Sequence, residues 1–123
     1  MSFALPSAMN VTADIEALRR LRQAGGVDLV KKMIALFLEN LPVRVHVAIA
    51  GTRGENWAEV ERAGHSLKSS AGYLGLGELA ERAKTLEELA AQGRKSDIEP
   101  LLRELSESVP ALRLSLQKLV REL

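Results

Sequence analysis

One run of residues constrains the fold more than any other. From Trp57 to Leu74 the apolar or small positions are Trp57, Val60, Gly64, Leu67, Ala71 and Leu74, spaced three, four, three, four, three. An α-helix returns side chains to one face at those intervals, so the run predicts a helix over about 55–74 with an unbroken core seam. Such a seam needs covering, and the rest of the chain offers covers of the same kind. Leu76, Leu79, Ala83, Leu86 and Ala90 repeat the spacing and end near Gly93. A further helix starts at a Ser96 or Asp97 cap; with Asp97 as cap, Pro100 falls at the third helical position, where its missing N–H costs little. Its stripe is Ile98, Leu101, Leu105, Val109, Leu112, Leu116 and Leu119, with a kink expected near Pro110. Upstream, Val30, Ile34, Phe37, Leu41, Val45 and Ala48 mark a helix over about 27–50, which Pro42 should bend or restart because it removes one backbone donor. Thr12 is the natural N-cap of a shorter first helix reaching about Gln23, with Ile15, Leu18 and Leu21 on its apolar side.

One stretch carries two patterns. Val43, Val45, Val47 and Ile49 alternate with Arg44, His46 and Ala48, as a half-buried strand would. A lone strand among helices has nothing to pair with, so the helix is preferred. The four aromatic residues, Phe3, Phe37, Trp57 and Tyr73, leave a core of Leu, Val, Ile and Ala, which suits helices. The expected fold is all-α: an antiparallel four-helix bundle over residues 11–123, with the short additional N-terminal helix capping one end and a flexible leader over 1–10.

Charge and cysteine content remove several function classes. Seventeen Lys and Arg against 16 Asp and Glu leave a net +1, too weak a field to gather nucleic acid or anionic lipid without sequence specificity. The absence of cysteine rules out disulfides, thiolate metal sites and cysteine nucleophiles. The longest mainly apolar stretch, Leu41 to Ala50, is broken by Arg44 and His46 and falls short of the ~20 residues of a spanning helix. No signal peptide is recognised at Met1 to Asn10, and a cytoplasmic monomer that binds neither nucleic acid nor membrane is expected.

The candidate chemistry gathers on one face. No Gly-rich phosphate loop and no His-Glu-x-x-His run is present. Glu61 and His65 are four apart but supply only two ligands, and no matching pair stands on another helix, so no metal site is expected. His65 lies roughly 120° from the centre of the third helix's seam, at or beyond the edge of the buried face. Lys68, Ser69 and Gly72 follow at three, four and seven residues and share that face. The ring therefore stands among one cation and two very small side chains. Gly in a helix interior costs ~1 kcal/mol relative to Ala, so Gly72 needs a reason: room for another surface to reach the ring, or close helix packing. An adjacent ammonium favours an added dianionic group and an unprotonated, nucleophilic imidazole. That is the local design of a phosphoryl acceptor. His46 has no such companions and reads as a boundary residue; Glu81-Arg82 and Glu87-Glu88 read as a solvated face, and Phe37 and Trp57 as core anchors.

The longer pattern resembles a known family. The run Ala63-Gly64-His65-Ser66-Leu67-Lys68-Ser69-Ser70-Ala71-Gly72-Tyr73-Leu74-Gly75, followed by Leu79, Ala83, Leu86 and Glu87, is similar to the histidine-containing phosphotransfer domain of two-component relays. His65, Leu67, Lys68, Ser70, Gly75, Leu79, Ala83, Leu86 and Glu87 match its spacing, and Gly25-Gly26 with Phe37 look like its first loop and second helix. The resemblance extends over about Thr12 to Leu123. Two positions depart: Ser69 stands where the family usually has Gly, and Tyr73 where Asn is frequent, changes that bear on the identity of the partner more than on the activity.

The resemblance implies a phosphoryl carrier without kinase activity. His65 would take the group through Nε2 from a receiver domain's aspartyl phosphate and pass it to another receiver, with Lys68 stabilising charge on the phosphoryl oxygens and Ser69 and Gly72 clearing the docking surface. It implies no resident cofactor, the Mg²⁺ being supplied by the receiver, and response-regulator receivers and a hybrid histidine kinase as partners. Two other readings remain. The same bundle could be a non-catalytic adaptor that binds receivers or kinases without carrying phosphate, or the phosphorylated domain of a chemotaxis-type kinase.

Overall fold

The computed structural model describes residues 15–123; the leader over 1–10 and the Thr12 cap lie outside the described residues. Four helices follow one another: α1 (Ile15–Arg53), α2 (Trp57–Tyr73), α3 (Gly77–Ala91) and α4 (Lys95–Arg121). The three connections, 54–56, 74–76 and 92–94, are too short for anything but antiparallel neighbours. Packing runs α1–α2–α3–α4 and back to α1, so α2 is flanked by α1 on one side and α3 on the other. The short N-terminal helix is the part of α1 before Gly26, whose φ of 75° and ψ of −171° break the helical path. Ala17 is buried in it, and Leu18 and Leu21 pack against the core.

The core is the one the seams specify. Val30, Ile34, Phe37, Leu41, Val45 and Ala48 of α1 are buried, as are Val60, Gly64, Leu67 and Ala71 of α2, with Leu74 just beyond it. Leu76 and Leu79, Ala83, Leu86 and Ala90 of α3 join them, while Trp57 is half-buried at the rim. On α4 the buried line is Ile98, Leu102, Leu105, Ser108, Leu112 and Leu116, so Leu101, Val109 and Leu119 sit at its edge rather than in its centre. The rival strand pattern is settled by the same packing. Residues 43–49 are helical, Val45 and Ala48 are buried, and Val43 is exposed.

Pro42 neither restarts nor interrupts α1, and the reason lies on another helix, far away in sequence. A proline at 42 leaves the Leu38 carbonyl without its i+4 donor. The Arg113 guanidinium of α4 donates to that oxygen at 3.2 Å, replacing the lost bond from another helix. α4 likewise continues through Pro110. Its start differs from expectation: Arg94 occupies the N-cap position without a side-chain bond, the helix begins at Lys95, and Asp97 lies in the first turn. Pro100 is therefore the sixth helical residue. The Gly93 turn sets this boundary. Gly75 and Gly93 each take a left-handed φ, 71° and 64°, and let the next residue's N–H reach back to Ala71 and Leu89, at 2.9 and 3.0 Å. The residue after each glycine is thus the N-cap of the next helix, which begins one residue later.

The α1–α2 turn has the same hydrogen bonds without the glycine. Asn56 N–H reaches Gly51 O at 2.7 Å and Glu55 N–H reaches Thr52 O at 3.1 Å, which places Glu55 at the left-handed position with φ 55°. A side chain there is strained by about 1 kcal/mol. Glu55→Gly is expected to raise the melting temperature by about 4 °C, since the Lys95–Glu55 contact it gives up is 3.7 Å long and exposed. Thermal melts of the two proteins check this; an unchanged or lower value would contradict the strain argument.

α1 also corrects the expectation about apolar stretches. By length and composition it is apolar enough to cross a membrane, its best 18-residue window having a mean hydropathy of 1.5. The few isolated charges that interrupt each run lower the average too little to bring it below that of a spanning segment. A third of that window is buried within the bundle, and Leu36 and Val43 contribute apolar surface on its outside.

Candidate functional site

His65 sits midway along α2 with its side chain 63% exposed, off the buried seam as its helical phase requires. Its Nδ1 lies 3.0 Å from Oε2 of Glu87 on α3. The Lys68 ammonium, one turn further along α2, donates to the other oxygen of the same carboxylate at 2.8 Å. A single carboxylate thus holds both groups. Since an ionised carboxylate only accepts, the 3.0 Å contact puts the proton of the neutral ring on Nδ1, the tautomer that leaves the Nε2 lone pair free. Nε2 has no hydrogen-bond partner among the described residues.

What brings Glu87 this close is Gly64. A Cβ at 64 would stand 2.9 Å from the Glu87 backbone N and 3.1 Å from Ala83 O. Only the missing side chain lets α2 and α3 approach until the carboxylate reaches the ring one residue along. Reading along the chain places Glu87 on a solvated face and, although it matches the family's spacing, gives it no role; its side chain is only 21% exposed and bridges the two candidate residues. Its carboxyl is held below the ordinary glutamate value, chiefly by the Lys68 hydrogen bond and further by His65, against partial burial, which pushes the other way. Arg82, assigned to the same solvated face, is also engaged, bonding Glu104 of α4 and lying 3.6 Å from Glu78.

The other expected site residues lie where their helical phase puts them. Ser69 and Gly72 are exposed. Nothing stands within 4 Å of a Cβ built on Gly72, so close packing within the chain is not what asks for glycine there. Lys68 does not stand beside the ring as an unneutralised charge; it is 36% exposed and paired with Glu87. Glu61, the sequence neighbour considered as a co-ligand, is not bonded to His65. Among the described residues no three metal-ligating side chains come together. His46 is exposed on α1.

Beside His65 runs an open groove of about 540 Å³, lined by Arg44 of α1, Ala58, Arg62 and Ser66 of α2, and Glu87 of α3. An exposed ring anchored through one nitrogen, with its other nitrogen unpartnered, can attack an electrophile that another molecule presents. It can do so without giving up its own proton.

Compared with models of known protein families, residues 32–122 match the Hpt domain. No curated protein and no solved structure matches the chain.

Proposed function

The chain belongs to the Hpt domain family, the helical phosphocarriers of two-component phosphorelays, and we propose that His65 is its acceptor, taking a phosphoryl group from the aspartyl phosphate of one receiver domain and giving it to another. The observation that carries this reading is the exposed ring held at Nδ1 by Glu87 with Nε2 unpartnered. In the transfer the Nε2 lone pair forms the N–P bond while the P–O bond to the receiver's aspartyl carboxylate breaks, and the electron pair leaves with that carboxylate. The ring keeps its Nδ1 proton and becomes cationic. Glu87, already in contact with Nδ1–H, faces the charge as it develops. In phosphoryl transfer, positioning and charge stabilisation carry most of the work, and this arrangement supplies both.

Lys68 orients Glu87 through one of its three N–H donors, leaving two for the phosphoryl oxygens. Ser69 and Gly72 keep the approach low. The divalent cation that screens the phosphoryl charge belongs to the receiver's acidic pocket. Tyr73 at the end of α2 and Leu36 and Val43 on α1 are exposed apolar residues that a receiver would cover. The transfer is reversible, and the partners are receivers and a hybrid histidine kinase in the cytoplasm, met by a monomer.

The test is the intact mass of the protein after mixing with Mg²⁺ and several phosphorylated receivers. A phosphate-sized adduct, labile in acid and stable in base, is expected. Binding without an adduct for every receiver would favour the adaptor reading.

Glu87→Gln separates the carboxylate's role from the acceptor's. Its amide can still accept from Nδ1–H but no longer carries the compensating charge, so transfer is expected to slow on the order of tenfold, about 1.4 kcal/mol, while the same residue becomes phosphorylated. The pair also has a signature in stability. Because the folded-state value of Glu87 is depressed, its contribution is present above the ordinary glutamate range, about pH 4.3, and lost as the pH falls through the lower folded value. The native protein's advantage over Glu87→Gln in thermal melts should therefore be present at pH 7 and shrink below about pH 4. A pH-independent difference would contradict the ionic pairing.

A further inference from the structure

The charges around the groove do not balance once a phosphoryl group is added to His65. Lys68 is committed to Glu87 at 2.8 Å, and Arg62 is committed to Glu59 of its own helix at 2.9 Å. Glu61 also borders the groove and adds a negative charge. Arg44 is the groove's remaining cation; it is exposed and has no ion-pair partner among the described residues. It also comes from a different helix. α1 and α3 both pack on α2, and Arg44 and Glu87 line the same groove as His65. Glu87 occupies the Nδ1 edge of the ring, so a group bonded to Nε2 stands at the other nitrogen, away from that contact.

Building on the acceptor role proposed for His65, we propose that Arg44 binds the phosphoryl oxygens of the phosphorylated ring, so that the phosphoryl group is held by a cation from α1 as well as by the two remaining N–H donors of Lys68. A guanidinium suits this task because its planar fork matches two oxygens of a tetrahedral anion. Glu61 competes for the same cation, but with a single charge against the two of a phosphoryl dianion. Before transfer, Arg44 is a free surface cation; afterwards it is an ion-pair partner. It therefore stabilises the phosphorylated chain relative to the unphosphorylated one. That places its effect on the equilibrium of transfer, not merely on the rate of encounter.

The closing experiment measures the equilibrium ratio of phosphorylated chain to phosphorylated receiver, by intact mass, for the native protein, Arg44→Gln, Arg44→Lys and Lys32→Gln. Lys32 is an exposed α1 cation outside the groove, and its replacement changes net charge by the same amount. Arg44→Gln is expected to shift the equilibrium about threefold to tenfold toward the receiver, Arg44→Lys to recover part of the shift, and Lys32→Gln to leave it unchanged. Because the equilibrium between free species is independent of docking, a slower approach with an unshifted equilibrium would mean that Arg44 contacts the partner, and would overturn the proposal. Equal shifts in Arg44→Gln and Lys32→Gln would overturn it as well, by reducing the effect to net charge. Should the native chain acquire no phosphoryl group from any receiver, the acceptor role of His65 falls and this inference with it. A native adduct with an unshifted Arg44→Gln equilibrium removes only the inference.

Discussion

His65→Gln is expected to abolish the acid-labile phosphate altogether while leaving helicity intact and stability within about 0.5 kcal/mol of the native protein. The two halves of that expectation have separate physical origins. Glutamine has no nucleophilic nitrogen, since its amide lone pair is delocalised into the carbonyl, so no N–P bond can form whatever the approach of the receiver. The fold is spared because the ring is 63% exposed and contributes nothing to the seam. The amide N–H₂ of the replacement can still donate toward Glu87, and Lys68 still pairs with that carboxylate. Binding to a receiver should persist for the same reason: the exposed apolar residues on α1 and at the end of α2 are untouched. Intact mass, far-ultraviolet circular dichroism and a thermal melt on the same preparation read all three quantities. A residual acid-labile adduct on this variant would move the acceptor elsewhere, with the second histidine, His46, the first position to examine.

The parts of this molecule that were legible in the sequence are those set by interactions along one helix. The three-four seam of α2 fixed which side of the helix is buried, and that alone put His65, Lys68, Ser69 and Gly72 together on the outside. What the sequence hid were pairings between helices. Glu87 is 22 residues from His65 in sequence, and nothing in the local pattern says which carboxylate of α3 will face the ring. The signal that could have found it was Gly64: an interior glycine inside an otherwise apolar seam marks a close approach of backbones, and the residue opposite is the one that gains reach. Pro42 hid its outcome in the same way, because the donor that keeps α1 helical comes from Arg113 of α4. Glu55 failed differently. The turn uses a left-handed residue where glycine is the usual choice, and a search for glycine punctuation stops at Gly54.

Replacing Leu67 by Asp, two residues from the acceptor, is expected to have the opposite consequence to His65→Gln. Leu67 is 2% exposed and lies at the centre of the seam, between Gly64 and Ala71. The substitution removes a buried side chain's transfer and packing energy, about 2–5 kcal/mol, and leaves a carboxylate among apolar neighbours. Ionised, that group has no partner to justify its desolvation; protonated to avoid it, the group forfeits roughly a further 1.4 kcal/mol for each unit its pKa must rise. The aspartate stem is also too short to lead the charge out past the helix backbone to water. Against a total stability of about 5–15 kcal/mol for a domain, the sum removes most or all of the folded population. The expected observation is loss of the cooperative melt and of most helicity, with phosphoryl acceptance disappearing alongside because Glu87 is no longer held against the ring. Leu67→Met separates burial from side-chain identity: a volume-conserving apolar swap should cost less than about 1.5 kcal/mol and keep the acceptor functional. An aspartate variant with native helicity and an unchanged melt would place position 67 outside the core. The helical phase that sets His65 on the surface would then be wrong as well, since one 3.6-residue period fixes both.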